Sequence, residues 1–391
     1  MSSDFPARRE LPPEVRDRIR VRFRAGLDRP ERRGRATWFA AAAAVVLLAG
    51  GAVFGIGALR GSTPVSPAAG DAPLDRCWTA AEKAGKTEGL GSRAQWVTTA
   101  TESSGDDVVV AFTVDGKPAF CETTATTVTL SDPAAQAARP GGQAAGVLLF
   151  TATGMVAGVA DPSWEQVELS MPDGLGMVVA KPDKQTGQFI GFTGADPAKT
   201  ALWLGRAKQG QSTRLWPRGP VPRIADPLVS VVDRPGDRSS AEGRALGECL
   251  AKVPDPPALA DGYQPGAMLT DGPNSLVLAR MPGHLIACVR EGTSYRLVQD
   301  TFLGLTIPVR RLSVPPIGGK VPFVGLTPPS AKTMSAEFFL DGTQTTAVPV
   351  VRGTFAYWVP PNAVPQDNGE VSVQTSDARG VGLFSGGIPL R

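Results

Sequence analysis

Residues Val108–Thr124 read VVVAFTVDGKPAFCETT. Two apolar-rich runs, Val108–Val114 and Ala119–Thr124, flank the dipeptide Asp115-Gly116. Asp-Gly between such runs signals a tight antiparallel hairpin, because the turn needs residues that tolerate positive φ. Working outward, Gln95–Thr101 supplies a strand candidate before this hairpin, and Gly146–Val159 begins a second strand-rich half after it. One strand of the hairpin also carries a cysteine, Cys121.

The pattern returns further along the chain. Cys121 and Cys288 are 167 residues apart, and Cys77 and Cys249 are 172 apart. Trp96 matches Tyr263, Val108–Val110 match Ser275–Val277, Gly116 matches Gly283 and Gly158 matches Gly325. Phe189 then matches Phe355, Phe192 matches Trp358, and Gly219 matches Gly387. Each match is cheap alone. In order and at a nearly fixed offset, they indicate two diverged copies, 74–220 and 246–391, joined by a connector at 221–245 that reads as irregular. Two units of this length can each hold a core, which argues for tandem modules and against a solenoid.

Each copy opens on a short helix bearing its first cysteine, Leu74–Ala84 or Ala245–Val253. In the second copy the strands expected next are Tyr263–Leu269, Ser275–Arg280 and Leu285–Arg290. Later runs close each copy with a hairpin, Ala201–Arg206 with Arg214–Trp216 and Glu370–Thr375 with Val381–Phe384. The strand, Asp-Gly, strand, Phe pattern resembles a small β-sandwich-like module met in actinobacterial envelope proteins. The expected class is mainly β: a single transmembrane helix followed by two tandem, internally duplicated β-rich modules, each with a short helix and one intra-module disulfide.

The helix in that expectation is Ala36–Leu59, ATWFAAAAAVVLLAGGAVFGIGAL, 24 residues without a charge. At about 1.5 Å per residue it would cover roughly 36 Å, enough for a bilayer core of about 30 Å. Residues 1–35 hold 11 arginines against 6 acidic residues, a net of +5, while the whole chain is +3. Basic flanks stay on the cytoplasmic side, so the expectation is a single-pass cell-membrane protein with a cytoplasmic N-terminus and an extracytoplasmic C-terminal region. Residues 60–73, rich in Pro, Ala and Gly, would act as a spacer. Gly51 and Gly55 form a GxxxG pair that could bring two helices together as a homodimer.

Within the basic arm, Val15, Ile19, Phe23 and Leu27 form an i, i+4 ladder with Arg16, Arg18, Arg20, Arg22 and Arg24 on the other faces. These arginines are candidates for contact with lipid on the inner leaflet or with a partner. A basic cluster confined to a tail that sets topology gives no nucleic-acid footprint. The layout is similar to that of bitopic anti-sigma factors of high-GC bacteria. That resemblance implies an alternative function, a transmembrane signalling regulator with outer sensor modules and a reporting arm. The zinc-binding signature of that family needs His and Cys, and residues 1–35 contain neither.

Four cysteines allow three pairings. The duplication selects Cys77 with Cys121 and Cys249 with Cys288, the same bridge in each copy. No CxxC pair is present to hold zinc or run redox chemistry. The only histidine, His284, lies in a turn where the first copy has Lys117. G-x-S-x-G, H-E-x-x-H and phosphate-loop motifs are missing from the sequence, and its Asp-Gly pairs lack the dense spacing of calcium loops. The expectation is a non-enzymatic envelope protein, without cofactor or metal, whose modules bind an envelope protein or wall component. Candidate interaction residues are Trp203, Trp216, Tyr357 and Trp358, since alternation through 355–359 puts rings on both faces of one strand. One face should be core, and the other is either a covered sheet face or a recognition patch.

Overall fold

The computed structural model describes residues 71–389, apart from 105–106, 172–177, 195, 198–199, 208–217, 302–307, 341, 362 and 364–369. All of these belong to one structural unit, Arg60–Arg391. Helix α1 (Asp71–Lys83) comes first, followed by an antiparallel meander of β1 (Val97–Ser104), β2 (Asp107–Val114), β3 (Lys117–Thr123) and β4 (Thr127–Leu130). The β2–β3 turn is the two-residue turn expected. Val114 pairs with Lys117 across Asp115 and Gly116, whose φ values are 48° and 75°. Positive φ at both central residues is what the right-handed twist of a tight hairpin demands.

Seven further strands follow: β5 (Gly146–Phe150), β6 (Met155–Val159), β7 (Gln166–Ser170), β8 (Val178–Ala180), β9 (Gln188–Phe192), β10 (Trp203–Ala207) and β11 (Arg218–Pro220). They form two sheets, in spatial order β5-β6-β9 and β11-β10-β7-β8. Then β12 (Val229–Val232) returns to pair with β4 and completes the first sheet as β1-β2-β3-β4-β12. The segment expected to be an irregular connector thus contains an edge strand, held by buried Val229 and the β4 ladder.

Alternation along the strands stacks these elements in layers. Val110, Phe112, Ala119 and Cys121 face α1, packing with Leu74, Cys77 and Ala81. The intervening Val109, Ala111 and Phe120 face the second sheet through Leu149, Met155 and Ala157. The second sheet's other side, with Val147, Val156 and Phe189, packs on Val167, Leu169 and Leu204 of the third. The order is helix, sheet, sheet, sheet.

The same order recurs in the remainder. Helix α2 (Ala241–Lys252) precedes the meander β13 (Gln264–Asp271), β14 (Asn274–Met281), β15 (His284–Glu291) and β16 (Ser294–Thr301). Next come β17 (Arg310–Leu312), β18 (Pro322–Leu326), β19 (Thr333–Leu340), β20 (Gly342–Val348), β21 (Val350–Val351), β22 (Thr354–Trp358), β23 (Glu370–Ser376) and β24 (Gly382–Pro389). Their sheets run β17-β18-β22-β21 and β20-β19-β23-β24. With β5 set against β17, β6 against β18 and β7 against β19, the two halves share strand order in all three layers, β12 and β21 being additions. Helix α2 packs on Val277, Ala279 and Ile286, whereas Leu276, Leu278 and Leu285 face Val324 and Ala356. Phe323 and Phe355 then meet Phe338, Val371 and Val373 of the last sheet.

Disulfides join Cys77 to Cys121 and Cys249 to Cys288, each tying its helix to the third strand of its meander. The expected spanning helix is corrected. Among the described residues the fold is mainly β, with six small antiparallel sheets and the two helices just described. Those helices have 13 and 12 residues, about 20 Å at 1.5 Å per residue, and among the described residues no helix is long and apolar enough to cross a membrane. The stretch 36–59 lies outside the described residues, as do Gly51, Gly55 and Arg16, Arg18, Arg20, Arg22 and Arg24. The single-pass membrane localisation is therefore not supported, and the regulator that depended on it is not carried further.

Candidate functional site

The two copies differ where their first and second sheets meet at one edge. In the first copy a cleft of about 410 Å³ opens there. Ala100 and Glu102 of β1 form one wall, Ala111 and Ile190 the floor, and Lys181 with Asp183 the far wall. This size falls within the range of small-ligand sites, about 300–1,000 Å³. Both β1 and β9 are edge strands of their sheets, so the cleft lies between two sheet edges.

The far wall is fixed by its own turn chemistry. Asp183 Oδ1 accepts hydrogen bonds from the Gln185 and Thr186 amides and from Thr186 Oγ1, at 3.0, 2.7 and 2.8 Å. The Thr186 bonds are the main reason its carboxyl is held below the usual range. Gly187, at φ 73°, lies so close to the Ala160 carbonyl that a Cβ would collide with it. Lys184 Nζ donates to the Pro162 and Trp164 carbonyls at 3.2 and 2.9 Å, which turns it away from ligand duty. At the closed end, buried Gln188 accepts from Thr99 Oγ1 at 2.6 Å and donates to the Phe112 carbonyl at 2.9 Å.

Glu102 is the chemically distinctive group. It is half-buried, and burial raises its pKa. Among the described residues it has neither a hydrogen-bond partner nor an ion pair, and the same holds for the exposed Lys181. In register, Glu102 opposes Val109, and its counterpart Leu269 opposes Leu276.

The second copy closes this opening with its own side chains. Leu269 and Trp358 pack onto the core between β14 and β18. Trp358 Nε1 donates to the Thr270 carbonyl at 3.4 Å, Arg352 Nη1 to the Pro265 carbonyl at 3.3 Å, and the Ala267 amide to Thr354 Oγ1 at 2.7 Å. The first copy has Glu102 for Leu269, Phe192 for Trp358 and Thr186 for Arg352. Phenylalanine offers no donor, and Thr186 is spent on Asp183.

A second polar group lies deeper. Glu122 on β3 is 1% exposed and points between the first two sheets, where the second copy has Val289. Thr153 Oγ1 donates to its Oε1, and Thr151 also bonds it. The β5–β6 turn carrying those threonines is touched from the second copy as well. His284 Nε2 lies 2.7 Å from the Ala152 carbonyl, and since a carbonyl only accepts, that nitrogen carries the hydrogen.

Of the residues expected to mediate interactions, Trp203 is half-buried on β10, and Trp216 lies outside the described residues. Tyr357 and Trp358 are half-buried on opposite faces of β22 and pack against two different cores. Tyr357 is stacked on Phe338 with centroids 5.8 Å apart. Tyr357 and Trp358 therefore do not share one face, and Trp203, Tyr357 and Trp358 do not line the cleft. Among the described residues, no group of three or more His, Cys, Asp or Glu side chains is placed to hold a metal. No protein-family model matches the chain, and no curated protein matches it either.

Proposed function

We propose that this chain is a binding protein without catalytic activity of its own, and that its first copy receives a ligand in the cleft between β1 and β9. The supporting observation is the asymmetry of the duplication. One layered scaffold occurs twice, and where the second copy fills the gap with Leu269, Trp358 and Arg352, the first leaves it open around a carboxylate that has no partner among the described residues. A half-buried charge without a partner costs stability, so its retention at a cleft mouth reads as a feature for recognition. The rigid far wall, pinned by Asp183 and Gly187, suits a preformed site.

Random displayed peptides selected on the full-length chain test this reading. Selected binders should lose binding to an Ala100→Trp variant, whose indole fills the cleft, with its fold checked by circular dichroism and by its thermal midpoint. Binders that hold the variant as tightly as the parent would place recognition elsewhere and overturn the proposal.

A further inference from the structure

Resting on the cleft as the binding site, we infer that its ligand is an extended peptide strand that adds to the free edge of β1 and sets a basic side chain against Glu102. The edge itself is the first support. Val114 and Lys117 close the two-residue β2–β3 hairpin, so alternate residues of β2 counted from Val114 bond to β3. The intervening Val109 and Ala111 bond instead toward β1, at Glu102 and Ala100. That leaves the amides and carbonyls of Thr101 and Ser103 pointing outward, and among the described residues nothing bonds to them. Unpaired edge groups beside an apolar floor are the template on which an extended peptide adds as one more strand.

The second copy supplies the rest. The carbonyl of Thr270, which matches Ser103, takes a hydrogen from Trp358, and that of Pro265 takes one from Arg352. This edge is occupied by an aromatic and a basic side chain from within the chain. In the first copy an incoming strand would bring such groups itself. A residue directly opposite Glu102 on an added strand would have its Cβ about 5 Å away, on the same face of the sheet, within reach of a lysine or arginine. A cation there would also offset the cost of burying the Glu102 carboxylate, which its raised pKa reflects. Across the cleft, Asp183 has Oδ1 engaged in the Thr186 turn, which fixes its position on the far wall. Lys181 stands on the opposite wall and disfavours a second basic residue on that side.

The test uses the full chain and blocked seven-residue peptides with alternating Thr and Val around a central Lys, Glu or norleucine. A fourth probe keeps the Lys but is N-methylated at alternate amides. Calorimetric titration should rank Lys over Glu by about tenfold, about 1.4 kcal/mol, and the N-methylated peptide should not bind. Glu102→Gln should bring the Lys and Glu peptides to within about threefold of each other. Peptides that bind in a manner sensitive to Ala100→Trp, yet with no charge preference or with no effect of N-methylation, would overturn the ligand class and leave the cleft reading standing. Binding indifferent to Ala100→Trp would overturn both. A charge preference that survives Glu102→Gln, or no binding by any of the four probes, would likewise overturn the ligand class.

Discussion

Glu122 is a carboxyl group placed where its equivalent in the second copy is a valine. Burial is the largest influence on it and pushes its pKa up to about 7. The hydrogen bond from Thr153 opposes this, and nearby Asp107 reinforces it. The folded state therefore holds this proton more tightly than the unfolded chain, where the group titrates near 4.5. Its contribution is most favourable below about pH 4.5, declines as pH rises toward 7, and stays at its least favourable above that. At 1.36 kcal/mol per unit, the full difference is about 3 kcal/mol. Urea unfolding at pH 5 and pH 8 should show stability falling with pH by most of that amount. Glu122→Gln, a neutral isostere that still accepts from Thr153, should remove most of the fall, and an unchanged pH slope would show that the burial is relieved in solution. Neither Glu122 nor Glu102 stands out in the sequence as a site, because each is one charge in an ordinary strand pattern. The signal that could have found them is the copy-to-copy match at 167 residues, which sets these two acids against Val289 and Leu269. The aromatics drew attention instead, since a ring on a strand face looks alike whether or not another layer covers it.

Among the elements, strands bounded by turn chemistry were legible and those defined by a distant partner were not. The Asp115-Gly116 hairpin and the paired cysteines were readable because their signals are local or duplicated. The matched Gly158 and Gly325 were visible too, and each now has a reason: a Cβ at either would strike the carbonyl of the neighbouring strand, at Gly146 or Arg310. By contrast, β12 exists through its ladder with β4, which no stretch within 221–245 announces. The helices also depend on tertiary fastening, being at or below the length at which an isolated helix is even marginal. Beyond its disulfide, α1 is held by Arg76, whose Nε and Nη2 each lie 2.5 Å from Asp233 carboxylate oxygens, while another guanidinium nitrogen reaches the Thr124 carbonyl at 2.5 Å. Helix α2 has the exposed Lys252, Glu248 and Tyr295 cluster in that place, and solvated pairs contribute little. Each bridge closes a loop of about 40 residues, for which the chain-entropy model gives about 4 kcal/mol. On reduction, amide hydrogen exchange should accelerate much more in α2 than in α1. Equal acceleration would mean that the Arg76 cluster does not hold its helix.

At the scale of the molecule, the two copies share a contact through which one can stabilise the other. Thr126, 1% exposed in the β3–β4 turn, donates to the Gly262 carbonyl at 2.9 Å, and its own carbonyl accepts from the Asp233 and Arg234 amides. Gly262 is packed between Thr127 and Val232 on one side and Met281 on the other, leaving no room for a side chain without displacement. Arg238 fastens the same corner by donating to the Tyr263 and Ala260 carbonyls at 3.0 and 3.2 Å. His284 adds a second bridge at the Ala152 carbonyl. Because the Thr126 and His284 bonds join segments more than 130 residues apart, one in each copy, unfolding one copy exposes groups that the other had satisfied, and the two should melt as one cooperative unit. Thr126→Val preserves shape and removes the hydroxyl, stranding the buried Gly262 carbonyl at a cost of about 1–3 kcal/mol. Calorimetry should record one transition for the parent chain, and for the variant a lower midpoint with a broadened or divided peak. Two separate transitions in the parent would show that the shared corner transmits no stability, and that the copies fold as independent beads despite their contact.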